Sequence, residues 1–245
     1  MTRAEQAGNG ERVAIVTGGS RGIGRAIVED LLDGGWRVFL CSRNPESVER
    51  ALGELAGRGA AAGGSVAGRA VDVREQAEVD GFVDLVAGEA GRLDCLVNNA
   101  GLGHFAAVDE LSGDQWREVL RTNLDGCFYF VRAAAPLMKR GGGGWIFNVA
   151  SLAGKNPFAG GAAYNASKFG LVGMSEAAML DLRHDGIRVA AILPGSVDTS
   201  FQGRKERDWM LTPGDVARVV TDLLAFPERA LPSLVEIRPT APPRK

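Results

Sequence analysis

Arg12-Val13-Ala14-Ile15-Val16 runs directly into Thr17-Gly18-Gly19-Ser20-Arg21-Gly22-Ile23-Gly24, and the reading of this stretch decides the fold. A nearly continuous apolar run marks a strand buried on both faces, as in parallel sheets. The glycines break it, and residues 25–32 read as a helix that Asp33-Gly34-Gly35 closes. A glycine-rich turn from strand into helix can cradle phosphate. Its glycines permit tight turns and close approach, and the helix start offers unpaired N–H groups and a positive dipole. The spacing is Gly18-x-x-x-Gly22-x-Gly24, not the Gly-x-Gly-x-x-Gly of the general dinucleotide fingerprint. Its position after the first strand of a βαβ unit, rather than the glycines alone, makes it a phosphate site.

Outward from this stretch, strand and helix alternate. Strands are predicted at 37–41, 67–71, 93–97, 145–149, 187–193 and 234–237, and helices at 45–56, 75–89, 114–139, 162–184 and 214–225. Residues 57–68 are rich in Gly and Ala and read as a mobile connection. The alternation predicts one α/β domain over residues 11–238: a doubly wound, Rossmann-like parallel sheet with helices on both faces, in three layers. Residues 1–10 and 239–245 are expected to be flexible tails; Pro239, Pro242 and Pro243 favour an extended end. Ligands of such folds gather outside the carboxyl ends of the strands. Residues 18–24, Asp72, residues 98–101, Ser151 and Pro194-Gly195 all follow predicted strand ends.

Composition narrows the function. The chain has 245 residues, 45% apolar and 24% charged, with a net charge of −2, which gives no reason to expect a nucleic-acid or membrane surface. No apolar stretch approaches the roughly 18 residues of a spanning helix, and the start lacks a signal-peptide core. The three cysteines, Cys41, Cys95 and Cys127, lie in apolar runs and read as buried free thiols of a reducing, cytoplasmic compartment. Neither histidine, His104 or His184, has an acidic or cysteine cluster beside it in the sequence, so no metal site is expected.

Tyr164-Asn165-Ala166-Ser167-Lys168 carries the chemistry, with Ser151 upstream. Tyr164 and Lys168, four residues apart, share one face of a helix. An ammonium near a phenol favours the phenolate and draws its pKa down from about 10 toward the working range. The end of the second strand bears on the ligand. A carboxylate there would hold ribose hydroxyls, whereas arginine suits a 2′-phosphate. The chain reads Cys41-Ser42-Arg43, and Arg21 lies in the glycine loop, so the phosphorylated nicotinamide dinucleotide, NADP(H), is favoured.

On these residues the chain resembles the short-chain dehydrogenase/reductase family, in its small single-domain form. The matching positions are Thr17-Gly18-x-x-x-Gly22-x-Gly24, Asp72, Asn98-Asn99-Ala100-Gly101, Asn123, Ser151, Tyr164-x-x-x-Lys168 and Pro194-Gly195, in the family's order from residue 17 to about 200. The resemblance implies that Tyr164 is the acid or base at the substrate oxygen. It implies that Lys168 grips the nicotinamide ribose and lowers the phenol's pKa, and that Ser151 donates to the carbonyl or alkoxide. Asn123 would hold a water in a proton relay. Cofactor contacts are implied for Gly18, Ser20, Arg21, Gly22, Ile23, Gly24 and Arg43, for Asp72 and Val73 at the adenine, and for Asn99, Ala100 and Gly101. Pro194, Gly195, Val197 and Thr199 would meet the nicotinamide carboxamide. Asn98 reads as a tie between strands.

The reaction implied is hydride transfer between the nicotinamide and a carbonyl or secondary alcohol. A 3-oxoacyl-thioester reductase is the nearest alternative, and a non-catalytic dinucleotide sensor or scaffold the alternative of another class. Substrate choice is expected to depend on residues 102–105, 152–158 and 200–211. In the last segment Phe201, Trp209 and Met210 suit an apolar substrate, and Arg204, Lys205 and Arg207 an anionic one. The tail departs from the family's paired-glycine ending, which leaves dimer or tetramer open for an expected homo-oligomer built on the helices at 114–139 and 162–184.

Overall fold

Alternate residues of the first strand feed two different cores, and this sets the architecture. In the computed structural model, which describes residues 11–199 and 208–243, β1 (Val13–Thr17) is buried along its whole length. Val13 and Ile15 join one apolar cluster with Phe82 and Phe130. Ala14 and Val16 join another with Ile27, Leu31 and Val220. Side chains alternate across a strand, so a strand covered on both faces must be apolar at every position. Each fully buried aliphatic or aromatic side chain contributes about 1.5–3 kcal/mol.

The remaining elements follow in chain order: α1 (Gly22–Asp33), β2 (Arg37–Ser42), α2 (Pro45–Leu55), β3 (Ser65–Ala70), α3 (Gln76–Ala90), β4 (Cys95–Asn98), α4 (Gly113–Leu120), α5 (Gly126–Arg140), β5 (Gly144–Val149), α6 (Ala162–Leu182), β6 (Ile187–Pro194), α7 (Pro213–Leu224) and β7 (Leu234–Ile237). The seven strands form one sheet in the order β3-β2-β1-β4-β5-β6-β7, and every pairing is parallel. The order reverses between β1 and β4, so the loops after these strands diverge and open a crevice. Helices cover both faces, which makes this a Rossmann-like α/β fold. Among the described residues no helix is long and apolar enough to cross a membrane.

Two expectations change. The helix predicted at 114–139 is interrupted at Arg121–Asp125, a wide turn in which Gly126 N donates to Arg121 O. Such π-type turns concentrate at functional sites, and here the packing explains it. A Cβ on Gly126 would stand 2.9 Å from both Val73 Cγ2 and Val73 O, so the chain must approach the loop after β3 closely at this point. The loose connection expected at 57–68 is shorter and better packed. β3 already begins at Ser65, and Gly59 and Gly64 lie against the Leu32 carbonyl, where Cβ atoms would come within 2.0 and 2.4 Å.

The tails fall largely outside the described residues, 1–10 and 244–245 entirely. Pro239, the first residue of the expected C-terminal tail, packs near Gly195, whose N–H donates to Ile237 O at 2.8 Å.

Candidate active site

The glycine loop owes its shape to contacts with the loop after β4. Thr17 Oγ1 accepts from Asn99 N and Ala100 N, both at 3.0 Å, and Asn99 Nδ2 donates to Thr17 O at 3.0 Å. Gly18 and Gly22 take φ of 65° and 56°, the left-handed region that side chains disfavour. A Cβ on Gly22 would project into the slot facing Thr199 Cγ2, 3.5 Å away, whereas one on Gly24 would collide with Gly18 O at 2.3 Å. The first position keeps a cradle open; the second lets α1 begin tight against the loop. Arg21 is the N-cap of α1 and makes no side-chain capping bond, so the helix start presents its N–H groups outward.

This loop forms one end of an open cavity of about 520 Å³ along the carboxyl edge of the sheet. Every residue expected in the site lines it except Gly24 and Asn123: Gly18, Ser20, Arg21, Gly22 and Ile23 from the first loop, Arg43 after β2, and Asp72 and Val73 after β3. Asn99, Ala100 and Gly101 line its middle, with Ser151, Tyr164, Lys168, Pro194, Gly195, Val197 and Thr199 beyond. Ser42, Asn44, Ser47, Arg74, Thr122 and Val149 also line it and were not among the expected site residues, and Leu102, from a segment expected to bear on substrate choice, lines it too. Ser42 and Asn44 flank Arg43, and Arg74 follows Asp72 closely, so the strand ends already flagged them. Val149 ends a predicted strand, whereas Thr122 carried no such signal.

Around the first end the charges form a network. Ser42 Oγ donates to Ser20 Oγ at 2.9 Å, and Asn44 caps α2 by accepting from Ser47 N at 2.9 Å. Glu118, from α4, accepts from Arg43 Nη1 at 3.4 Å and Arg74 Nη1 at 3.2 Å on one oxygen, and lies 2.9 Å from His104 Nε2 on the other. His104 first, then Arg43 and Arg74, hold the Glu118 carboxyl below its usual range. His104, which has no acidic neighbour in the sequence, thus acquires one from another element. Asp72 is not the cap of α3; that position is Glu75. Its carboxylate accepts from Arg74 Nε at 2.9 Å and from Arg74 N at 3.0 Å, and this pairing holds its pKa down.

At the other end, α6 brings Tyr164 and Lys168 to the cavity, and the Tyr164 and Ser151 hydroxyls are hydrogen-bonded. Ser151 Oγ also accepts from Ala153 N at 3.1 Å, which fixes its rotamer. Lys168 Nζ donates to Val149 O at 2.9 Å and lies 5.7 Å from the Tyr164 ring centre. Only 4% of Lys168 is exposed, and burial pulls its pKa down to about 8. The expectation that Lys168 lowers the phenol's pKa is corrected here. Burial disfavours the phenolate and raises Tyr164 above its ordinary value, the Ser151 bond offsetting part of this. The ammonium is engaged by Val149 instead.

Asn123 departs most from its expected place. It is wholly buried in the wide turn between α4 and α5, and its amide is spent on protein partners. Oδ1 accepts from Leu102 N at 2.9 Å, and Nδ2 donates to Leu102 O at 2.8 Å and to Ser167 Oγ at 3.0 Å. Its side chain therefore ties the loop after β4 to α6 rather than facing the cavity. Asn98 donates to Asn148 Oδ1 at 2.8 Å across β4 and β5, the strand tie expected of it. Of the segment 200–211, residues 200–207, with Phe201, Arg204, Lys205 and Arg207, lie outside the described residues. The ends of that segment are stapled by Asp198 N to Leu211 O at 2.7 Å and Leu211 N to Ser196 O at 3.0 Å.

Comparison with known proteins agrees with this geometry. A family model described as short chain dehydrogenase matches residues 12–209. A Streptomyces coelicolor protein provisionally named a ketoacyl reductase is 41% identical over 192 residues, 76% of this chain and 71% of its own. The D-threitol dehydrogenase of Mycolicibacterium smegmatis is 37% identical over 219 residues, 89% of this chain and 82% of its own. Among solved structures, an alcohol dehydrogenase from the archaeon Thermococcus sibiricus, complexed with 5-hydroxy-NADP, superimposes with a TM-score of 0.88 at 28% identity. That match covers 96% of this chain and 100% of that one.

Proposed function

Because the chain belongs to the short-chain dehydrogenase/reductase family, we propose that it is an NADPH-dependent oxidoreductase that interconverts a carbonyl and a secondary alcohol, with Tyr164 as general acid and base. The observation that carries this reading is the convergence of Ser151, Tyr164 and Lys168 on one end of a cavity whose other end is the glycine loop. The cradle fits a dinucleotide: left-handed glycines, an open helix start, and a slot at Gly22 that a Cβ would obstruct. A reduced nicotinamide held there would supply the hydride that the carbonyl carbon accepts.

The chain's own residues then manage orientation and the proton. Tyr164 Oη donates its proton to the carbonyl oxygen as that oxygen gains charge, and Ser151 Oγ offers a second hydrogen bond to the same atom. A phenol whose pKa is raised by burial keeps the proton that carbonyl reduction requires of it. Lys168, in the cavity wall with its pKa lowered by burial to about 8, would hold the ribose hydroxyls of the dinucleotide. Asn123 acts as a positioning residue, holding Leu102 and α6 in register.

The preference for the phosphorylated dinucleotide is supported by the cluster at the end of β2. Arg21, Arg43, Ser20, Ser42 and the capped start of α2 surround the place a 2′-phosphate would take, with no carboxylate on the strand end itself. The Thermococcus relative binds an NADP derivative. A homo-oligomer is supported by the large apolar side chains left exposed on α5 and α6, Phe128, Phe169 and Leu180.

A 3-oxoacyl-thioester reductase is the second reading, supported by the name of the Streptomyces relative. The test is NADPH consumption across ketones, quinones, steroids and 3-oxoacyl thioesters. Turnover of any ketone that disappears in Tyr164→Phe rules out a non-catalytic sensor or scaffold, and no turnover of any carbonyl or alcohol with either dinucleotide overturns the proposal.

A further inference from the structure

Two phenylalanines stand beside the reacting phenol with much of their surface exposed. Phe105, after β4, is 37% exposed, and Phe158, before α6, is 45% exposed. Their ring centres are 5.8 Å apart at 30°, and each meets Tyr164, at 5.5 Å from Phe105 and 6.5 Å from Phe158. Neither lines the cavity assigned to the dinucleotide, but both meet the ring of Tyr164, which does. Singly exposed aromatic side chains are ordinary on protein surfaces. Two that pack on each other and on a reacting group form a contiguous apolar wall.

The wall is rigidly built. A Cβ on Gly103 would come within 2.5 Å of the Phe105 ring and 3.3 Å of Tyr164, and one on Gly161 within 2.6 Å of the Phe158 ring. The outer edge of each ring thus lies close over a glycine, where a side chain at that position would have to displace it. Ala106 N donates to Gly160 O at 3.0 Å and joins the two loops, and Asn165 Nδ2 donates to Phe158 O at 3.1 Å, anchoring the second loop to the helix of Tyr164. Charged neighbours among the described residues are already engaged: His104 by Glu118, and Lys155 by Glu236.

We infer that Phe105 and Phe158 form the substrate subsite and select carbonyl compounds that carry an aromatic or fused unsaturated ring next to the reacting carbon. The inference rests on the carbonyl-reductase reading of the same site and names its substrate class. A planar group laid against the two rings buries apolar surface and gains offset or edge-to-face ring contact, which an alkyl chain does not match. The contact also fixes the carbonyl relative to Tyr164 Oη, so it contributes to kcat as well as KM.

The test compares an aryl alkyl ketone with an aliphatic ketone of equal carbon number and with a 3-oxoacyl thioester, using NADPH and the full chain. Wild type is expected to show kcat/KM at least about tenfold higher for the aryl ketone. Phe158→Ala and Phe105→Ala should each lower that value by about tenfold, lower the value for the aliphatic ketone by a smaller factor, and leave NADPH affinity in a fluorescence titration unchanged. Phe158→Leu, which keeps apolar bulk and the loop packing, should fall between. Equal kcat/KM for aryl and aliphatic ketones in wild type, equal losses on both ketones in the variants, or a thioester preferred over the aryl ketone overturns the inference and leaves the reductase reading standing. Failure to reduce any carbonyl overturns both.

Discussion

Lys168 donates from Nζ to the main-chain carbonyl of Val149 at 2.9 Å, so the last residue of β5 holds the ammonium beside the phenol one helical turn away. The site is thereby assembled from a strand end and a helix that are distant in sequence, and it is assembled at a cost. A nearly buried ammonium prefers to lose its proton, and its pKa falls to about 8.

The first prediction follows from that shift. The unfolded lysine keeps its proton to about 10.4. Between about pH 8 and 10.4 the unfolded chain therefore binds the extra proton, and stability contributed by this group rises with pH. It is present in full above that window and lost below it. In urea titrations, wild type should gain about 2–4 kcal/mol relative to Lys168→Met on going from pH 7.5 to pH 10.5. A constant difference between the two proteins across that range would refute the linkage.

Tyr164 and Lys168 should separate binding from chemistry. Tyr164→Phe keeps the ring contacts and removes the proton donor. Turnover should fall by about 10²–10⁴-fold with NADPH affinity unchanged. Lys168→Met should weaken both, since the ammonium lies in the cavity wall. Fluorescence titration beside steady-state kinetics distinguishes the two outcomes.

Arg43 is shared between Glu118 and the place proposed for the 2′-phosphate. Arg43→Ala should cost about tenfold or more in NADPH affinity, the worth of a charge-assisted hydrogen bond, and leave NADH within about twofold. Glu118→Gln, which frees the guanidinium, should shift the preference further toward NADPH. Equal binding of NADH and NADPH by wild type would refute the arginine argument.

Two glycines should respond oppositely to alanine. At Gly24 the added Cβ meets Gly18 O at 2.3 Å, and Gly24→Ala should destabilise the fold by about 1–3 kcal/mol and distort the loop. At Gly88, inside α3, nothing lies within 4 Å, so Gly88→Ala should stabilise by about 0.5–1 kcal/mol. Denaturant midpoints measure both.

The proposed oligomer has a direct check. Phe169→Glu, on the exposed face of α6, should shift the protein toward monomer in sedimentation velocity while its circular dichroism stays native. An unchanged sedimentation coefficient would place the interface elsewhere or remove it.

The strands and most helices were legible because each carries a local signal. The apolar run at 13–17, the glycine punctuation after it and the alternation that follows depend on neighbours along the chain. The break at Arg121–Asp125 was not legible, because nothing within residues 114–139 records how closely Val73 approaches Gly126. Likewise the Asn123 residue type is visible, but whether its amide faces water or Leu102 depends on a loop that crosses from β4.

The order of elements, the glycine loop and the identities of Ser151, Tyr164 and Lys168 are properties of the linear chain, since periodicity and turn chemistry are short-range. The balance of charge is not. That Lys168 faces Val149 rather than only its phenol, that burial raises Tyr164, and that Glu118 gathers Arg43, Arg74 and His104 all required the tertiary structure. Desolvation and ion pairing depend on which atoms exclude water from a group, and those atoms come from segments that meet only when the sheet has formed.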